Sequence, residues 1–360
     1  MEIESLDALD AWLDAGRPLA GLRLQALDLT ARENRLLAAD PRGLVVLGGR
    51  LSERLDAHLR SGGALVFPEV PGVPVDPYRS SLYTADELYD GLDDGYPATP
   101  DARAYRWWLD RTLRDDILAT MLRAVHDDSV SDALHETLAG RRAVGVMGGH
   151  AIERGQPTYL AAARLGRRLA RSGALVLTGG GPGAMEAATL GSALHEHSDD
   201  DLVAAAAELA RVPAFTDVTA WARAGFAVRD RLRLDDPRLT SLGVPTWFYG
   251  HEPSNVFSSA IAKFFSNAQR EDLLLSRSTS GLVVLPGAAG TVQEIFQNAT
   301  RAYYGTAGSI APIVLVGVDY WTATLPAWPL LTALAAGREM ATRVHLIDDV
   351  DQVDEMLGLS

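Results

Sequence analysis

Apolar residues run through the chain in two alternating rhythms, short unbroken runs and helical spacing, and the clearest example starts at Gly281. Leu282-Val283-Val284-Leu285 is a compact branched run of the kind a buried strand needs. It breaks into Pro286-Gly287-Ala288-Ala289-Gly290, and Ile295, Phe296, Ala299 and Ala302 then follow at helical spacing. The same alternation predicts strands at Ala143–Met147, Ala174–Thr178, Val244–Phe248, Ile310–Val316 and Val344–Ile347. Helices are predicted over Tyr159–Ala170 and Ala184–Leu194, from Ser254 or Asn255 to about Ser276, and over Val350–Leu357. On the helix after Ser254, the spacing places Lys263, Asn267, Arg270 and Leu274 along one face. Strand, helix, strand in this order is the right-handed crossover unit, and six such strands make an open, doubly wound parallel sheet with helices on both faces.

The first hundred residues carry a smaller α/β pattern. Strands are expected within Leu22–Leu29, Gly43–Gly48 and Gly63–Phe67, with a crossover helix over Leu51–Arg60 and a short helix within Ser81–Leu92. Prolines at 68, 71, 74 and 77 end that pattern. Residues 101–140 read as a helical connector, with Tyr105, Trp108, Leu109 and Leu113 in step. Trp107 and Trp108 are expected to anchor a helix rather than to stack on a base. The expected division is 1–100, 101–140 and 141–360, with a helical insertion at 195–237 that interrupts the larger sheet.

Composition narrows the choices. With 360 residues and 47% hydrophobic content, the chain can bury one large core or two modest ones. A formal charge of −14 and a pI near 5.0 argue against nucleic acid, whose phosphates need clustered cations. Cysteine is absent, so disulfides and thiolate metal sites are excluded. The acidic Met1-Glu2-Ile3-Glu4 start and the lack of a membrane-length apolar run lead us to expect a cytoplasmic protein with no membrane partner. Lys263 is the single lysine, which makes Schiff-base chemistry unattractive.

The candidate chemistry sits in the glycine turns. A strand that ends in a small-residue loop and opens a helix presents free amides and the positive end of a helix dipole, which together form an anion site. Gly287, Ala288, Ala289, Gly290 and Thr291 make one such site, with Thr291 as the expected N-cap. Gly180, Gly181 and Gly183 make a second. Glu294, three residues beyond Thr291, is the candidate catalytic carboxylate, although T-x-x-E is also the spacing of a capping box. Glu186 and Met185 open the helix after the second glycine turn and are candidates for the ribose or base, as are His150 and His251 at strand ends. His195-Glu196-His197 before three aspartates is read as a solvated acidic turn, with no metal expected.

These blocks resemble the LOG family, named for plant cytokinin-activating proteins and often mislabelled lysine decarboxylases. Pro286–Thr291 with Glu294 is similar to the family's P-G-G-x-G-T-x-x-E motif, and Gly179–Glu186 to its triple-glycine loop. The resemblance covers roughly Arg142 onward and implies a Rossmann-like fold and no cofactor. It implies hydrolysis of nucleoside 5′-monophosphates to free base and ribose 5-phosphate, by a homodimer at least. It also implies an essential arginine, for which Arg270 is the best match. Ala288 replaces the motif's second glycine, and with the long insertion it supports an alternative: a non-catalytic nucleotide sensor on the same fold.

Overall fold

A computed structural model describes residues 1–67, 69–234, 238–249, 252–306 and 308–359. The chain divides into two compact units that interleave in sequence. One comprises Met1–Leu82 with Thr112–Ala133, the other Tyr83–Arg111 with Leu134–Ser360. The boundaries drawn from sequence alone, at 100 and 140, did not contain this interleaving.

The smaller unit is a four-stranded parallel sheet in the order β1 (Glu2–Ile3), β2 (Arg23–Gln25), β3 (Val45–Leu47), β4 (Leu65–Phe67). Helices Leu6–Asp14 and Glu53–Ser61 each start at a serine, Ser5 and Ser52, whose side chain accepts from an amide of the first turn. Leu9, Leu24, Leu36, Val46, Leu55 and Leu59 form its core. The first strand and helix have no counterpart in the sequence reading, because a two-residue strand leaves too little periodicity to detect.

The larger unit holds seven parallel strands: β5 (Ala143–Met147), β6 (Leu175–Thr178), β7 (Ser241–Gly243), β8 (Ala260–Ile261), β9 (Gly281–Val284), β10 (Ile313–Val316) and β11 (Val344–Ile347). Their order is β11-β10-β9-β5-β6-β7-β8. The α/β, doubly wound reading therefore holds, with one strand more than expected. Strands β5, β6, β9 and β10 are buried along their whole length, as strands covered on both faces must be.

Two expectations fail between 241 and 266. The strand expected at Val244–Phe248 lies earlier, at Ser241–Gly243, and only Thr246 makes a later bridge, to Phe264. The long helix expected from Ser254 begins at Asn267 instead, capped by Ser266, whose side chain accepts from the Gln269 amide. Residues before it run extended through β8, burying Ile261, Phe264 and Phe265. Burial of this aromatic and branched set outweighs the helical spacing on which the reading relied. Lys263 therefore shares no helix face with Arg270.

Candidate functional site

Strand order fixes where a ligand can sit. From β5 the chain builds outward through β6, β7 and β8 on one side and through β9, β10 and β11 on the other. The reversal falls between β5 and β9, so the loops after these strands part around a crevice at their carboxyl ends. These are the loops at Gly148–His150 and Pro286–Gly290. The Gly149 amide donates to the Pro286 carbonyl at 2.9 Å, and the Gly149 carbonyl accepts from the Ala184 amide at 3.2 Å. Three loops thus meet at Gly149.

Close approach explains the glycines. A methyl on Gly287 would overlap Thr291 Oγ1 and lie 3.0 Å from the Gly149 amide nitrogen. Gly183 has φ +72° and packs against the carbonyls of Gly149 and His150. Side chains at Gly179 and Gly181 would stand 2.8 Å from Met185 Sδ and 3.0 Å from Met185 Cε. Met185 is buried beneath its own glycine loop. Ala288, where the related motif has glycine, sits at φ −103° and ψ −144° with its side chain exposed.

Helix Ala289–Tyr303 starts with Ala288 as its N-cap, which has no side-chain oxygen to offer. Thr291 is the third residue inside the helix rather than its cap, and no capping box forms with Glu294. The expected cap is corrected here: the chain enters the helix three residues earlier, where Ala288, Ala289 and Gly290 are exposed. First-turn amides without a cap beside a small-residue loop are suited to an anion.

Glu294 is buried behind this terminus, and Arg270 Nη1 stands 3.9 Å from its Oε1. Arg270 is itself buried. Its Nε donates to the Val244 carbonyl at 2.7 Å, Nη2 reaches the Gly179 carbonyl at 3.4 Å, and Nη1 bonds Glu271. One guanidinium thus faces two buried carboxylates. Burial, with Glu271 and Glu252 nearby, pushes the Glu294 carboxyl up to about 8 against the opposing pull of Arg270.

Glu186 is fully buried, and both its oxygens are engaged. Arg154 binds it in a two-pronged ion pair, and the Tyr159 hydroxyl donates to it at 3.1 Å. Arg154 also donates to the Trp221 carbonyl at 3.1 Å and lies over the Trp221 ring. The pair ties the helix Ala184–Ala193 to the insertion helix Val218–Leu232. His150 is half-exposed, with Nδ1 2.8 Å from Glu252 Oε1, and this bond raises its pKa. His251 lies outside the described residues.

Asn255 was expected only as an alternative cap for a helix that the structure does not form there. Fully buried, it donates from its backbone amide to the Gly180 carbonyl at 2.8 Å and from Nδ2 to the Gly181 carbonyl at 3.2 Å, and its Oδ1 accepts from Thr189. It holds the triple-glycine loop in shape. Arg154, Glu252 and Glu271 were also missed, since nothing in their local spacing signals a site.

The fold and these loops define a doubly wound α/β domain with an anion-suited helix terminus at its switch point. Residues 230–357 match a family model described as possible lysine decarboxylase, and residues 141–197 match one described as the SLOG cluster4 family. Both matched segments lie in the larger unit, which is thus similar to LOG-type domains over those residues. No curated protein matches the chain. Among solved structures, a molybdenum cofactor binding protein from Rippkaea orientalis is 16% identical, with 61% of this chain and 97% of that one covered at a TM-score of 0.38. The Moco carrier protein from Chlamydomonas reinhardtii is 19% identical, with 61% and 98% covered at 0.36.

The decarboxylase label finds no support in Lys263, which is 2% exposed. Its Nζ pairs with Asp101 Oδ1 at 2.7 Å and donates to Ser254 Oγ at 3.0 Å, while Trp247 and Tyr96 donate to the same aspartate. This lysine is committed to an internal ion pair. Among the described residues no cluster of metal-ligating side chains occurs, and no helix is long and apolar enough to cross a membrane.

Proposed function

We propose that the protein hydrolyses the N-glycosidic bond of nucleoside 5′-monophosphates, releasing the base and ribose 5-phosphate. The observation that carries this reading is Glu294, buried next to Arg270 directly behind an uncapped, exposed helix terminus. The 5′-phosphate is assigned to the amides of Gly287–Thr291, with the turn at Gly180–Gly183 beside it. Breaking the ribose–base bond develops positive charge on the sugar, which an ionised carboxylate at the anomeric carbon stabilises while it takes a proton from water. Remote anchoring of the phosphate holds the ribose in register, so binding contributes to rate. Arg270 sets the charge of Glu294. Glu186, engaged on both oxygens, is assigned to holding the insertion in place instead of binding ribose.

Incubation with AMP, GMP, CMP, UMP and isopentenyl-adenosine monophosphate, followed by chromatography for free base, tests this reading. Release from at least one nucleotide, lost in Glu294→Gln, is expected. A second reading, a nucleotide sensor without turnover, is favoured by the elevated Glu294 pKa, because a protonated carboxyl is no base. Nucleotide binding by calorimetry with no base released at any pH up to 9 would select it.

A further inference from the structure

Helix Asn267–Arg277 carries two adjacent charged residues, Arg270 and Glu271, and both are buried. Consecutive positions on a helix point about 100° apart and do not normally face each other. The bond from Arg270 Nη1 to Glu271 Oε1 therefore depends on what steers the guanidinium, which is held by the carbonyls of Val244 at 2.7 Å and Gly179 at 3.4 Å. Glu271 is 2% exposed, and its Oε2 has no hydrogen-bond partner among the described residues. A buried carboxylate with one oxygen unmatched costs stability, so this residue is a candidate for function.

The site supplies that function. Arg270 Nη1 lies 3.9 Å from Glu294 Oε1, beyond hydrogen-bond reach, while the same nitrogen bonds Glu271. A carboxylate paired directly with a guanidinium is a weak base, because the pairing lowers its pKa by about 1–3 units. A carboxylate left outside that bond keeps its affinity for a proton. After burial itself, the influences on Glu294 are Arg270, which lowers its pKa, and Glu271 and Glu252, which raise it.

We propose that Glu271 is a positioning residue: by engaging Arg270 it keeps the guanidinium from pairing with Glu294, and so leaves Glu294 able to take the proton of the attacking water. This rests on the nucleosidase reading above. In that reaction water adds its hydroxyl to C1′ and gives its proton to Glu294. The electron pair of the C1′–N bond leaves with the base, which takes a proton from solvent, and Glu294 returns its own to solvent before the next turnover. Glu271 acts through Arg270 and has no need to meet the substrate.

Glu271→Gln removes the charge and keeps the shape. The measurements are kcat/KM against pH, for whichever of AMP, GMP, CMP and UMP is cleaved fastest, and melting temperature against pH. In the wild type, kcat/KM should rise with pH towards the Glu294 value of about 8. In Glu271→Gln the rising limb should move to lower pH by about one unit or more, and its plateau should drop about tenfold because the base is weaker. The melting-temperature fall that accompanies loss of the Glu294 proton should move to lower pH with it. Glu271→Asp, which keeps the charge, should move both less. A loss of kcat/KM at every pH with the limb in place, or profiles unchanged from wild type, would overturn the role of Glu271 and leave the nucleosidase reading standing. If the wild-type protein releases base from no nucleotide, the nucleosidase reading falls and this role falls with it.

Discussion

Arg270 stands 3.9 Å from Glu294 but gives its closest hydrogen bond to the adjacent Glu271. Burial raises the Glu294 carboxyl to about 8, and the guanidinium at that distance offsets this only in part, so Glu294 stays protonated near neutral pH. Activity and stability should therefore change with pH in opposite directions.

Glu294 titrates near 8 in the folded protein against 4.5 for the free group. The folded state then binds more protons than the unfolded chain between these values, so this group's contribution is complete below about 4.5 and is lost as pH rises through about 8. Melting temperature should fall across this window, and Glu294→Gln should flatten the fall. Calorimetry from pH 5 to 9 on both proteins is the measurement. An identical slope in the two would contradict the assignment.

Removing the cation should be costly. Arg270→Ala leaves Glu271 buried without its counter-ion, a loss of about 3–5 kcal/mol by the usual cost of breaking a buried pair. Arg270→Ala combined with Glu271→Gln should recover part of this loss, since the two residues are in contact. Urea unfolding of the two single variants and the double variant reads the coupling directly.

The loop makes a contrast between neighbours. Gly287→Ala forces a methyl against Thr291 and Gly149 and should cost about 1–3 kcal/mol while weakening nucleotide binding. Ala288→Gly, which restores the glycine of the related motif, removes an exposed methyl and should change binding little. Melting curves with and without AMP separate the two effects.

Lys263 gives a prediction about structure alone. Lys263→Met strands Asp101 in the interior and should cost about 3–5 kcal/mol, whereas adding Asp101→Asn should return much of it. Base release per folded molecule should be unchanged in the double variant. A specific loss of activity there, with the fold intact by circular dichroism, would give the lysine a part in the chemistry.

Parallel strands with continuous apolar runs were legible from sequence. Ala143–Met147 and Val344–Ile347 were placed to the residue, and the loops at Gly179 and Pro286 follow from them. The stretch before Asn267 was not legible, because Ile261, Phe264 and Phe265 are spaced as readily for a helix as for an extended chain, and only their burial decides. Glu294 and Arg270 were visible through motif resemblance. Asn255, Arg154 and Glu252 act across long sequence separations, Arg154 on Glu186 being one case, and no local pattern announces such partnerships.

Tyr83 is joined to Ile261 by a reciprocal antiparallel pair, its amide donating at 2.9 Å and its carbonyl accepting at 2.8 Å. Strand β8 is the outermost of its sheet, so this short segment from far upstream seals a margin that would otherwise offer unpaired backbone to another chain. A fragment cut to start at the first long strand would lose that seal together with Asp101, the counter-ion of Lys263. It should clump rather than behave as a minimal enzyme, and anyone trimming the gene for expression should begin upstream of Tyr83.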